Sequence, residues 1–158
     1  MAKVKWSVYA EILINLEESD SRKYKVEIAN RESRKIINES AIYWVCLKEV
    51  TVPIIAGEDY DGTLVIGKTT SLETRFNQFI SGIEMATGHS EANLLHYLFW
   101  KSSSFKNKYI KNRIVFYYLL TPIKDLEEKE RDNIIWYIRK YGEPPVLNRS
   151  IPNRYGEW

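Results

Sequence analysis

A chain of 158 residues with 44% hydrophobic and 28% charged side chains has the size and composition of one folded domain, which excludes a disordered or collagen-like polymer. Lys and Arg number 23 against 21 Asp and Glu, so net charge alone selects no polyanionic partner. One cysteine, Cys46, excludes an intramolecular disulfide framework and a cysteine-rich zinc site, and suits a reducing, cytoplasmic setting. Glu11 breaks the first apolar run and no small-residue cleavage site follows, so no signal peptide is expected. No uncharged apolar stretch approaches the ~18 residues that would mark a membrane span.

Val4 to Leu16 alternate apolar and polar positions as a strand does, although Trp6, Ala10, Leu13 and Glu17 also suit a helix face. Residues 20–37, charged with scattered apolar positions, predict a helix begun by Ser19 or Asp20. Residues 41–52, AIYWVCLKEVTV, are β-branched and aromatic and read as a strand, with Cys46 buried in it. GEDYDG is a turn and TLVIG the returning strand of a hairpin. Thr70 or Ser71 caps a helix with Leu72, Phe76, Phe79, Ile80 and Ile83 at helical spacing, and a second helix runs from Ser90 through Trp100. Residues 114–120, IVFYYLL, predict a buried strand, and a last long helix ends at Gly142 before Pro144 and Pro145. After residue 40 the order is β-β-α-α-β-α, an α/β sandwich.

Charge is uneven along this order. Residues 62–124 carry eight basic and three acidic side chains, and no Asp or Glu lies between Ala92 and Lys124. Lys101, Lys106, Lys108, Lys111, Arg113 and Lys124 fall in that interval. They read either as a solvated loop or as a patch that neutralises phosphates.

Gly62 to Thr69, GTLVIGKT, satisfies the G-x-x-x-x-G-K-T phosphate-loop expression. Such a loop needs a hydrophobic strand before its first glycine and small, flexible residues inside. Here AGEDYD is a turn, TLVI is strand-forming, and IVFYYLLT ends in Thr121 without an Asp for magnesium. The segment therefore reads as a strand.

Read that way, Ala41-Ile42-Tyr43 opens the first hairpin strand and Val65-Ile66-Gly67 closes the second. Thr69, Leu72 and Arg75 follow in the order T-x-x-L-x-x-R. A strand, a glutamate-bearing helix and Asn148 after Pro144-Pro145 complete the set. This ordered set resembles the GIY-YIG nuclease family. The resemblance implies a small sandwich with an antiparallel three-stranded central sheet flanked by helices. Its core is residues 41–149, with an N-terminal extension over 1–40 and a C-terminal tail over 150–158 of one compact domain. It implies a metal-dependent DNA endonuclease that hydrolyses phosphodiesters. Tyr43 would assist the attacking water, Arg75 would hold the phosphate, and a glutamate would bind one Mg²⁺ (or Mn²⁺).

The sequence departs from the family at Ala41, a mild change, and at Val65, which removes a tyrosine hydroxyl. Phe79 stands where relatives often carry a histidine, and His89 in the following loop is the stand-in. For the glutamate, Leu126, Ile134, Ile138 and Tyr141 form one stripe of the last helix, and Glu130 lies on it. A carboxylate on an inward face is costly unless paired or metal-bound. Glu127 and Glu128 lie off the stripe, and Asp132 is the reserve candidate. Lys68, Lys101, Lys106, Lys108, Lys111, Arg113 and Asn148 would contact nucleic acid. DNA is the expected partner, a homodimer is open, and the alternative is a nucleic-acid-binding module of the same fold that has lost its chemistry.

Overall fold

The computed structural model describes residues 6–15, 25–31, 38–88 and 90–148. In chain order these form β1 (Ser7–Asn15), β2 (Lys25–Ala29), β3 (Ala41–Leu47), β4 (Val52–Ile54), β5 (Gly57–Asp59), β6 (Thr63–Thr69), α1 (Leu72–Met85), α2 (Ser90–Lys101), α3 (Ser103–Tyr109), β7 (Ile114–Leu120) and α4 (Leu126–Tyr141). A 3-10 turn, Ile123–Asp125, leads into α4. Among the described residues no helix is long and apolar enough to cross a membrane.

All seven residues of β3 are buried, because β3 is flanked by β7 and β6 and covered on both faces. Tyr43, Val45 and Leu47 point into one core, with Leu72, Phe76, Phe79 and Ile83 of α1 and Ala92, Leu95 and Phe99 of α2. Ile42, Trp44 and Cys46 point into a second core against Leu126, Ile134, Tyr137 and Tyr141 of α4. The period-2 alternation of a strand thus serves two helical layers at once. Phe116 of β7 is the ring hub of the first core. Its centroid lies 5.3 Å from Tyr43, 5.4 Å from Phe76 and 5.7 Å from Phe79.

Among the described residues the main sheet has five antiparallel strands, ordered β2-β1-β7-β3-β6, rather than the three expected. An apolar strand such as β7 needs hydrogen-bonding partners on both sides when buried, and β1 supplies the second, pairing Ile12 with Ile114. A bulge between Val8 and Ala10 turns Tyr9 into the α1 core, 4.9 Å from Phe76. The helix expected over 20–37 is also corrected. Residues 25–29 are the outer strand, with Val26 facing the core across from Ile14; the other residues of that stretch outside 25–31 lie outside the described residues. The strand expected over 41–52 stops at Leu47, since Glu49 takes a left-handed φ of 58°. The chain resumes in a separate β4–β5 ribbon built partly from the expected GEDYDG turn. The short helix α3, capped by the Ser102 side chain, lies where sequence reading had only a basic loop.

Glu11 of β1 is buried at 7% exposure, and its carboxylate accepts from Arg113 Nη1 at 2.6 Å, Lys48 Nζ at 2.9 Å and Asn30 Nδ2 at 3.1 Å. These partners come from three separate segments of chain. The hydrogen bond from Lys48, ahead of those from Arg113 and Asn30 and against the opposing effect of burial, holds the Glu11 carboxyl below the ordinary carboxylate range. A folded-state value below the unfolded one stabilises the fold above the unfolded value of about 4.3, and this stabilisation disappears as pH falls through the folded value. Glu11→Gln is therefore expected to lose about 1–2 kcal/mol at pH 7. Its stability should also fall less steeply on acidification than that of the unmodified protein. Chemical denaturation at pH 7 and pH 3 measures both; equal acid sensitivity of the two proteins would contradict this role.

Candidate active site

The hairpin register sets Tyr43 directly opposite Gly67, and β6 is an edge of the sheet. The phenol lies flat across that glycine, so a Cβ at position 67 would overlap the ring and hydroxyl of Tyr43. Glycine here is a requirement of close approach, which lets a buried ring deliver its oxygen to the strand edge. There the hydroxyl accepts a hydrogen bond from Arg75 Nε at 3.2 Å, and the guanidinium lies 5.8 Å from the ring centroid. Arg75 sits one turn into α1, whose start is fixed by Ser71 accepting from Thr74 N. Arg75 also donates from Nη1 to Gln78 Oε1 at 3.3 Å. Burial pushes the Tyr43 phenol up to about 12, against the opposing charge and hydrogen bond of Arg75; Glu91 and Glu130 push it the same way as burial. Tyr43 is thus a neutral hydroxyl at ordinary pH.

Glu130 approaches from α4, on the other face of the sheet. Its side chain is 12% exposed, and Lys68 Nζ lies 3.9 Å from it and 3.6 Å from Glu127. Glu127 and Glu130 are neighbours at i, i+3 on one helix face, so two carboxylates share the ammonium of Lys68, the residue that follows Gly67. Glu127 is therefore part of the same group, although the stripe argument set it aside. A cleft of about 480 Å³ opens here, lined by Lys68, Thr69, Thr70, Ile123, Lys124, Leu126 and Glu127. Among the described residues no cluster of three His, Cys, Asp or Glu side chains could hold a metal ion. The carboxylate pair still suits Mg²⁺, which takes one or two protein carboxylates and completes its shell with water and phosphate oxygens.

The other expected residues fall elsewhere. Lys111 and Arg113 lie beyond the far end of β7, where Ile114 pairs with Leu47, roughly 13 Å along the strand from the Tyr43–Tyr118 pair. Lys106 and Lys108 are on α3, which leads into that end, and Lys101 closes α2. Arg113 is held by Glu11. Asn148 accepts from Ile66 N at 3.0 Å and donates to Ile66 O at 2.9 Å, clamping the chain after α4 to the outer strand. Val65 is buried against the α1 core, Ala41 is buried within β3, and Phe79 packs on Phe116. His89 lies outside the described residues. Asp132 is exposed, beside Arg131. Sequence reasoning missed Glu91, whose charge reaches Tyr43 from the first turn of α2; a first-turn acid reads simply as a favourable charge at a helix N-terminus. The G-x-x-x-x-G-K-T match is mostly strand. Gly62, at φ 62°, turns the chain where a Cβ would meet Leu47 O at 2.6 Å, and Thr63–Thr69 is β6.

No protein-family model matches the chain. No curated protein matches it either. Among solved structures, the restriction endonuclease HPY188I in complex with product DNA superposes with a TM-score of 0.38 at 12% identity, over 94% of this chain and 83% of that one. That likeness is too loose to carry a functional argument.

Gly67→Ala forces the Tyr43 ring off its seat. The expected loss is about 1–3 kcal/mol, the range for overpacking. A thermal melt checks it, and an unchanged midpoint would show that the ring does not need the glycine.

Proposed function

We propose that the chain is a metal-dependent DNA endonuclease of the GIY-YIG type, hydrolysing phosphodiester bonds at the β6 edge. The observation that supports this reading is the Tyr43 hydroxyl held by Arg75 Nε across a side-chain-free strand position, with the charge of Glu130 within reach. Arg75 points the remaining donors of a rigid guanidinium fork at a phosphate, which matches the non-bridging oxygens and offsets charge that grows in the transition state. Tyr43, neutral and oriented by Arg75, would position the attacking water, whose proton is released to solvent rather than taken by a phenolate. A phenolate with a pKa of about 12 would be populated only to about one part in ten thousand at pH 8. Glu130, with Glu127 beside it, would hold one Mg²⁺ or Mn²⁺, which supplies positive charge for the departing 3′ oxygen when bound. Lys68 and Lys124 line the adjoining cleft and would hold the next phosphate of the strand.

Supercoiled plasmid is expected to be nicked by the unmodified protein with Mg²⁺ and not in EDTA. Glu130→Gln should slow nicking by about a hundred-fold or more while duplex binding persists. DNA retained but uncut under all conditions would favour the binding module instead, a reading to which the apolar, buried Val65 lends support. The rate should show no unit-slope rise from pH 7 to pH 10 that Tyr43→Phe abolishes. Such a rise would mean that the phenolate is the base.

A further inference from the structure

We infer that the outward face of α1 reads base edges and gives the enzyme its sequence preference. This rests on the nuclease reading above. Thr74, Asn77, Gln78 and Ser81 recur at i, i+3, i+4 and i+7, so they fall within an arc of about 100° opposite the buried Leu72, Phe76, Phe79 and Ile83. Thr74, Asn77 and Gln78 are exposed and Ser81 half-buried. With Thr87 and Gly88 they line a groove of about 420 Å³.

The chemistry of this face sets it apart. The exposed positions of α4 carry Glu128, Lys129, Asp132, Arg139 and Lys140, the ordinary charged surface of a solvated helix. Within that arc the α1 face carries amides, hydroxyls and the exposed Met85 and no charge, and the half-buried Glu73 and Glu84 flank it. It is also joined to the reaction centre, since Gln78 Oε1 accepts from the same guanidinium that holds Tyr43. Phosphates would be bound by cations; neutral side chains that both donate and accept suit base edges, and Asn or Gln can pair bidentately with adenine N6 and N7. From Thr74 to Ser81 the helix advances about 10 Å, the height of about three base pairs. A helix fits the DNA major groove, whereas that groove in duplex RNA is too narrow for side chains to read.

The test is selection from a randomised DNA duplex pool in Ca²⁺ at fixed salt, followed by sequencing of the retained fraction, with duplex RNA as a competitor. The unmodified protein should enrich a defined sequence. Asn77→Ala sits outside the catalytic groups and places a good helix former on a solvent face. It should lose roughly ten-fold or more discrimination at one base pair while keeping the salt dependence of binding. Gln78→Ala should relax a neighbouring pair and also slow cleavage, because it frees Arg75. Salt-dependent binding without sequence preference, or an enriched sequence that Asn77→Ala leaves unchanged, would overturn this inference and leave the nuclease reading standing. Duplex RNA competing as well as DNA would overturn it too. No binding to DNA at all would overturn both.

Discussion

The architecture turns on one close approach, that of the Tyr43 ring to the backbone of Gly67. A tyrosine in the middle of a two-sided core would ordinarily bury its hydroxyl or find a partner inside. Here the absence of a side chain on the neighbouring edge strand makes room for the buried hydroxyl to meet Arg75. The aromatic body stays packed on Phe116 while the oxygen reaches the margin of the sheet. The same geometry explains two properties at once. Desolvation keeps the phenol protonated, and Arg75 fixes its orientation from the first turns of α1.

Charge is distributed around this contact in two separate groups. Near the β6 edge, Lys68 bridges the carboxylates of Glu127 and Glu130. At the far end of the sheet, Lys48 and Arg113 converge on Glu11 and tie β1 to the turn after β3 and to the start of β7. The acid-free interval of the sequence is therefore not one surface. Arg113 holds the sheet together through Glu11, and Lys124 lines the cleft beside the candidate site. Proximity along the chain made the interval look like one feature because linear charge density takes no account of where a strand and a helix carry each residue.

The elements that sequence made legible are those with strong local signals. The hairpin, the Ser71 cap, the apolar stripes of α1 and α4 and the stop at Gly142 all depend on residues within a few positions of one another. The five-stranded sheet was not legible, because β1 pairs with a strand about a hundred residues later, and nothing local announces that pairing. For α3, the signal was present but faint: Phe105 and Tyr109 meet at 4.9 Å across one turn of a seven-residue helix. At the site, Glu130 could be picked from the helical period and Tyr43 and Arg75 from the resemblance. The need for Gly67 follows only from the cross-strand register. Asn148 illustrates the converse. The resemblance implied a nucleic-acid contact for this asparagine, and the structure shows its amide bonded to the backbone of Ile66.

The central claim is that groups from opposite faces of the sheet act as one chemical unit at its edge. Single-turnover cleavage by Arg75→Ala, Glu130→Gln and the double variant tests it most directly, because residues that serve a single step lose their effects non-additively. The account predicts that the double variant is slowed hardly more than the worse of the two single ones. Losses that multiply, each independent of the other, would contradict it.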